Sequence, residues 1–288
     1  MMKNILIVHG PNLNLLGERE PELYGTMTLD DMNSAICSFA EGMHLRTRCF
    51  QSNSEGALID FVHEQRAWAH GIVINPGALT HYSYALRDAI SGVNIPTVEV
   101  HLSDIEKREA FRKHSVIKEV AIGQFKGRGI TGYFRAIEEL VAYGTLREFR
   151  AGAEELDWDA LLTRAVTLLK NRFPKYTWVG IYLIEGDELI LHNFLGRPSP
   201  HTRIPIGKGI CGAAAAEKKS IVVPDVQADP RYLACSMETR SEVVVPILTG
   251  TETIGEIDVD SDSPDIFHDG DTRFLEAFAE LLAHIPRS

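Results

Sequence analysis

Short apolar runs alternate with amphipathic stretches through the first half of the chain. The run K-N-I-L-I-V-H (3–9) stops at a Gly-Pro-Asn turn, as a buried strand does. Thr28-Leu29-Asp30-Asp31 opens a helix to about Gly42, with Thr28 or Asp30 as its cap. The pattern then predicts a strand over 45–52 and a helix over 54–69, with Leu58, Ile59, Phe61 and Val62 inward. A strand over 71–75, a helix over 82–90 and a strand over 97–102 follow. A helix near 108–113, a strand at 119–123 and a helix from 132 to about 150 complete the series. Strands at this spacing, with helices between them, predict an α/β fold: a doubly wound parallel five-stranded sheet covered on both faces. Ligands bind such sheets beyond the carboxyl ends of the strands. The segments 9–12, 75–77 and 101–103 all fall at those ends, so they are expected to converge on one crevice.

From about Ala151 the texture changes. Asp157 or Asp159 caps a helix through about Arg172. The segments 178–184, 187–195, 220–226, 241–248 and 253–260 read as short strands with turn signals between them, and 269–285 as a closing helix. That order predicts an α+β domain in which helices at its two ends flank an antiparallel sheet. The expected domains are 1–146 and 147–288.

Charge narrows the choice of partners. The chain of 288 residues carries a net charge of −11. Residues 1–146 hold 14 Lys+Arg against 17 Asp+Glu, and residues 147–288 hold 15 against 23. An acidic chain without a basic tract is not expected to bind nucleic acid, where phosphate contacts rest on Lys and Arg. No apolar run approaches the roughly 20 residues that span a bilayer. The apolar start is interrupted by His9, Pro11 and Asn12, too early for a signal peptide. A cytoplasmic protein without membrane contact is expected. Four cysteines, with no C-x-x-C pair, make neither a disulfide framework nor a structural zinc site.

Candidate chemistry concentrates in two segments of the first half. Asn75 to Arg112 crowds Asn75, His81, Arg87, Asp88, Glu99, His101, Ser103, Arg108 and Arg112 among turn formers, and polar groups at this density point to a ligand. The loop E-R-E-P-E-L-Y-G places Arg19 five residues before Tyr24. A tyrosine titrates at about 10, and an adjacent guanidinium lowers that by roughly 1–3, which makes Tyr24 a candidate base. Glu99 and His101 share one face of a strand, so the carboxylate can orient the imidazole as an acid. Asn75, Ser103 and Arg112 can hold a substrate carboxylate. Each feature alone has an ordinary structural explanation; it is their convergence at strand ends that points to a small anionic substrate.

These residues carry a resemblance. G-P-N-L-N-L-L-G-x-R-E-x-x-x-Y-G, Q-S-N-S-E-G, N-P-G-A-x-T-H-x-S-x-A-L-R-D-A, V-E-V-H-L-S and R-E-x-F-R-x-H-S make residues 3–145 resemble type II 3-dehydroquinate dehydratase. The resemblance implies a flavodoxin-like domain that removes water from 3-dehydroquinate by anti elimination through an enolate, with no metal, cofactor or Schiff base. It implies that Tyr24 takes the proton from C2, tuned by Arg19, and that His101, oriented by Glu99, protonates the departing C1 hydroxyl. Asn12 would stabilise the enolate. Asn75, His81, Leu102, Ser103 and Arg112 would bind substrate, and Asp88 would reach a neighbouring subunit's site in a trimer-based homo-oligomer, up to a dodecamer. The usual pattern is departed from at Leu79, Tyr82 and Tyr84, and in G-R-G-I-T-G-Y near Arg128.

In the second half, Cys211 and Cys235 read as loop cysteines able to form a transient disulfide, whereas Cys37 and Cys49 read as packing residues. Asp258 and Asp260 alternate along a strand, with Glu242 upstream, so three carboxylates can face one pocket. That suits a cationic amine, or a protonated carboxyl donating to a sulfoxide oxygen. W-V-G-I-Y, T-R-I-P-I-G-K-G-I-C-G, P-D-V, A-C-x-x-x-x-x-S-E-V-V-V-P-I and G-x-x-D-V-D make residues 155–285 resemble a GAF domain, and within that class the free methionine-(R)-sulfoxide reductases. The resemblance implies Cys211 and Cys235 as redox cysteines, recycled by thioredoxin. Glu242, Asp258 and Asp260 would bind methionine sulfoxide, with Trp178 and Tyr182 lining the pocket. A third cysteine often found before T-R-I-P is replaced by His201. The alternative is a non-catalytic module that senses a small molecule or redox state.

Overall fold

A computed structural model describes residues 2–18, 25–107, 109–153, 156–233 and 236–285. It divides into two compact units, Met1–Gly144 and Thr145–Ser288. In the first unit the strands are β1 (Asn4–His9), β2 (Arg46–Gln51), β3 (Gly71–Asn75), β4 (Thr97–His101) and β5 (Gly123–Lys126). They pair in the order β2-β1-β3-β4-β5, every pair parallel. This is the flavodoxin-like order, with its ligand crevice at the β1/β3 switch point. Three helices lie between the strands, α1 (Leu29–Gly42), α2 (Glu55–Gln65) and α3 (Tyr84–Val93), and α4 (Thr131–Ala151) follows β5 and runs past Gly144 into the second unit. β1, β3 and β4 are buried along their whole length, which is why β1 and β3 read as apolar runs, whereas β4 carries the buried Glu99 and His101. Thr28, not Asp30, caps α1: its side chain accepts from Asp31 N while Asp31 closes a capping box. Leu6, Val8, Leu58, Val62, Ile72 and Ile74 share one core.

Three expectations move. The helix expected near 108–113 is only a 3-10 turn at Ala110–Lys113, ending where His114 turns extended. The strand expected at 119–123 is displaced by a 3-10 turn at Lys118–Val120, where Lys118 N donates to Ser115 Oγ at 3.0 Å. β5 follows as an edge strand of sequence G-Q-F-K, too polar to stand out from the sequence. α3 begins at Tyr84, after a 3-10 turn at Gly77–His81, with Ser83 as its cap.

The second unit pairs six antiparallel strands in the order β8-β7-β6-β11-β10-β9. These are β6 (Trp178–Glu185), β7 (Glu188–Leu195), β8 (Arg203–Pro205), β9 (Ile221–Val223), β10 (Ser241–Thr249) and β11 (Glu252–Ser261). α5 (Trp158–Arg172), capped by Asp157, and α7 (Asp269–Ala283) are the expected terminal helices. β8 and α6 (Gly209–Glu217) were not expected. α6 reads G-I-C-G-A-A-A-A-E: only its second half is made of strong helix formers, and it has no polar face to reveal a period. Gly212 is required there, since a Cβ would lie 2.5 Å from the Pro205 carbonyl oxygen of β8. Among the described residues no helix is long and apolar enough to cross a membrane.

Candidate functional site

The loops after β1 and β3 meet closely, because Gly10 has no side chain: a Cβ there would lie 2.4 Å from the Pro76 carbonyl oxygen. Gly10 N donates to Asn75 O at 2.7 Å, and Asn12 takes a left-handed conformation with its N–H on Asn53 Oδ1 at 2.8 Å. The loop after β4 completes a cleft of about 160 Å³. Asn12, Asn75, His81, His101, Leu102, Ser103 and Arg112 all line it. Arg112 is also paired with Glu109 at 3.0 Å. Asp88 is not among the lining residues; it is exposed on α3, beside Arg87 at 3.2 Å. Tyr24 and Arg19 lie outside the described residues.

Glu99 is wholly buried beneath His101. His101 Nε2 lies 2.8 Å from Glu99 Oε1. The carboxylate also accepts from Thr80 Oγ1, from Ser115 Oγ at 2.9 and 3.0 Å, and from Gln124 Nε2 at 2.7 Å. Burial alone would push Glu99 upward, but the hydrogen bonds from His101, Thr80 and Ser115 outweigh it and hold the group below its ordinary value. A carboxylate only accepts, so His101 Nε2 carries hydrogen and Nδ1 is the ring nitrogen left for a ligand. Thr80, Ser115 and Gln124 escaped the sequence reading, since no local spacing links three distant residues to one carboxylate.

His81 presents the opposite hydrogen-bonding character. Its Nδ1 donates to His114 O at 2.7 Å, leaving Nε2 as an acceptor. Burial draws its pKa down against the pull of that carbonyl, and His101 and Arg112 add to the lowering. Behind the cleft, His9 Nε2 lies 2.8 Å from Asn33 Oδ1 and its Nδ1 lies 3.1 Å from Tyr133 Oη. An amide oxygen only accepts, so Nε2–H donates to Asn33 and Nδ1 accepts from the Tyr133 hydroxyl. Burial drops His9 to about 4, with the Asn33 bond opposing it. Burial raises Tyr133, against a hydrogen bond with Asn75. The buried network thus reaches the back of Asn75.

In the second unit, antiparallel register places Glu242 of β10 opposite Asp260 of β11, and Asp258 opposite Gly180 of β6. Gly180 leaves room for the Trp178 ring, which a Cβ there would approach to 2.1 Å. Trp178 and Tyr182 are buried on the same strand, their rings 6.5 Å apart. Cys211 is not a loop residue: α6 holds it buried, with Sγ 3.5 Å from Asp258 Oδ2 and 3.7 Å from Glu242 Oε1. Cys235 lies outside the described residues.

The cluster holds one more acid than expected. Glu256, two residues before Asp258, is wholly buried, and neither of its oxygens has a hydrogen-bond partner. The alternation Glu256, Asp258, Asp260 along β11 was the signal that could have found it. Asp258 Oδ1 and Trp178 Nε1 are also buried without partners. Burial first, and then neighbouring carboxylates, push Glu242, Glu256 and Asp260 well above the ordinary range; burial pushes Asp258 up as well.

Residues 3–141 match the family model for class II dehydroquinase, and residues 157–285 that for the GAF domain. A 3-dehydroquinate dehydratase of Pelotomaculum thermopropionicum is 54% identical over 138 residues, covering 48% of this chain and 96% of the relative. One of Bacillus subtilis is 52% identical over 141 residues, covering 49% and 95%. Among solved structures, the type II dehydroquinase of Butyrivibrio crossotus is 45% identical with a TM-score of 0.47, covering 48% of this chain and 97% of its own. A free methionine-R-sulfoxide reductase of Neisseria meningitidis, solved with its substrate, is 38% identical with a TM-score of 0.48, covering 52% and 87%. Through residues 3–141 the chain belongs to the class II dehydroquinase family, and its residues 157–285 form a GAF domain.

Proposed function

We propose that the first unit dehydrates 3-dehydroquinate to 3-dehydroshikimate. The observation that carries this reading is the buried Glu99–His101 pair opening onto a cleft lined by Asn12, Asn75, His81, Ser103 and Arg112. In the proposed elimination Tyr24, tuned by Arg19, removes the C2 proton. The electrons pass through an enolate, with Asn12 beside it, into the new double bond. The C1 hydroxyl departs as water on receiving a proton from His101. Glu99 acts by keeping His101 oriented and compensating its charge. Arg112 and the Ser103–Leu102 backbone hold the substrate carboxylate, while His81 Nε2 and Asn75 take hydroxyl groups. Asp88, exposed on α3, is proposed to reach a neighbouring subunit of a trimer-based assembly in the cytoplasm. The test is ultraviolet detection of the conjugated product with the intact chain. Tyr24→Phe and His101→Ala are each expected to lower turnover by roughly 10²–10⁴; near-normal turnover in either variant removes that residue's role.

For the second unit we infer a closed small-molecule pocket, because Asp258 beside Cys211, Glu256 two residues before it and Trp178 in the same core cluster all carry buried polar atoms without partners. Its proposed ligand is free methionine-(R)-sulfoxide, with the ammonium group among the carboxylates. Attack of one thiol on the sulfoxide sulfur releases methionine and leaves a sulfenic acid. The second thiol, of the Cys211 and Cys235 pair, condenses with it to a disulfide and water, and thioredoxin restores both. NADPH oxidation in a thioredoxin-coupled assay tests this. No turnover, together with a ligand-dependent change in dehydratase rate, would instead establish a sensory module.

A further inference from the structure

The cluster around Cys211 has the spacing of a metal site. One ligand atom each from Cys211, Glu242 and Asp258 lies within 4.8 Å of the other two, and all three residues are buried. They come from three separate elements, α6, β10 and β11, so their meeting is a product of the fold and not of sequence proximity. A tetrahedral zinc centre has a metal–sulfur distance of about 2.3 Å and metal–oxygen distances of about 2.0–2.2 Å, which set sulfur and oxygen ligands about 3.5–3.7 Å apart. Cys211 Sγ stands 3.5 Å from Asp258 Oδ2 and 3.7 Å from Glu242 Oε1.

A second observation, independent of that spacing, points to a missing positive charge. Asp258 Oδ1 and both oxygens of Glu256 are buried without a hydrogen-bond partner. Glu256 is near enough to feel both Asp258 and Cys211. Buried carboxylates are ordinarily paired with a cation or bound to a metal. The basic group nearest in sequence, Arg240, is turned instead toward Asp225 at 3.6 Å.

We propose that Cys211, Glu242 and Asp258 form a binding site for one borderline divalent cation of the zinc class, with Glu256 beside it as a fourth oxygen donor. A thiol with oxygen donors suits zinc or cadmium better than magnesium or calcium, which take oxygen ligands alone. Binding releases the thiol proton, together with any proton held on the ligating carboxyls, and forms a metal–thiolate bond; no electron is transferred. An occupied site withholds the Cys211 sulfur from thiol chemistry. The proposal does not depend on the pocket being a reductase, because it is read by metal binding and not by turnover.

The test is a titration of the intact chain with Cd²⁺, followed by thiolate-to-metal charge-transfer absorbance, in parallel with melting curves in Zn²⁺. Cys37 and Cys49, whose sulfurs lie 3.8 Å apart, are first changed to Ser so that they contribute no second thiolate site. One equivalent of Cd²⁺ is expected to saturate the band, and Zn²⁺ to raise the melting temperature. Cys211→Ser should abolish the band. Asp258→Asn and Glu242→Gln, which keep shape and cover the case in which Cys211→Ser does not fold, should each weaken Cd²⁺ by on the order of 10-fold or more. Absence of a band in the parent protein, a band surviving Cys211→Ser, or affinity unmoved by both carboxylate variants overturns the proposal.

Discussion

Glu99 in the first unit and Glu256 in the second are both wholly buried, on strands of their respective sheets. Their surroundings treat them in opposite ways. Glu99 accepts from His101, Thr80, Ser115 and Gln124 and is held below the ordinary carboxylate range. Glu256 has only the Cys211 thiol to oppose the shift, so burial first, and then the neighbouring acid Asp258, drive it well above that range. Burial raises both groups; the donors aimed at a buried carboxyl decide whether that rise is overcome. The first arrangement keeps a fixed negative charge under an imidazole, as proton transfer requires. The second leaves valences open, as a pocket does whose positive partner is a ligand.

The same substitution should therefore have opposite signs in the two units. Glu99→Met strands three neutral donors and the His101 N–H, and should lower stability of the first unit by about 3–5 kcal/mol. A urea transition unchanged from the parent would break the contrast from that side. His9 sharpens it, since this buried imidazole is neutral although fully hydrogen-bonded. Its pKa falls from 6.5 to about 4 on folding. Between those values the unfolded chain binds more protons, so stability is lost as pH falls from 6.5 toward 4, by on the order of 3 kcal/mol in total. Denaturation measured across that window should show the loss, and His9→Asn should flatten it. Glu256→Met should raise stability of the second unit by roughly 1–2 kcal/mol, because it removes a buried acid whose one donor is the weak Cys211 thiol. A loss of stability in calorimetry would mean that Glu256 already has a partner.

Much of the first unit was legible because parallel strands buried on both faces leave continuous apolar runs, and because Thr28 and Ser54 stand where caps belong. The cleft residues were legible for a related reason: Asn75 and His101 close β3 and β4, and Asn12 and Ser103 lie within three residues of a strand end. What stayed hidden is three-dimensional pairing. Thr80, Ser115 and Gln124 meet Glu99 only through the crossing of distant segments. In the second unit α6 lacks a polar face, so Cys211 looked like a loop thiol, although it is buried against two acids. Glu256 was overlooked although G-E-I-D-V-D puts it in phase with Asp258 and Asp260; an acid with no visible partner reads as solvent-facing until the strand is seen to be central.

The most direct measurement is a carbon-13 NMR titration of the glutamate side-chain carboxyls in the intact chain, with Glu99→Gln and Glu256→Gln used to assign the two signals. Glu99 should titrate below the ordinary value of 4.5, and Glu256 should still be protonated well above it. If the two signals move together near that value, their different surroundings do not set their charge, and the contrast between the two units fails.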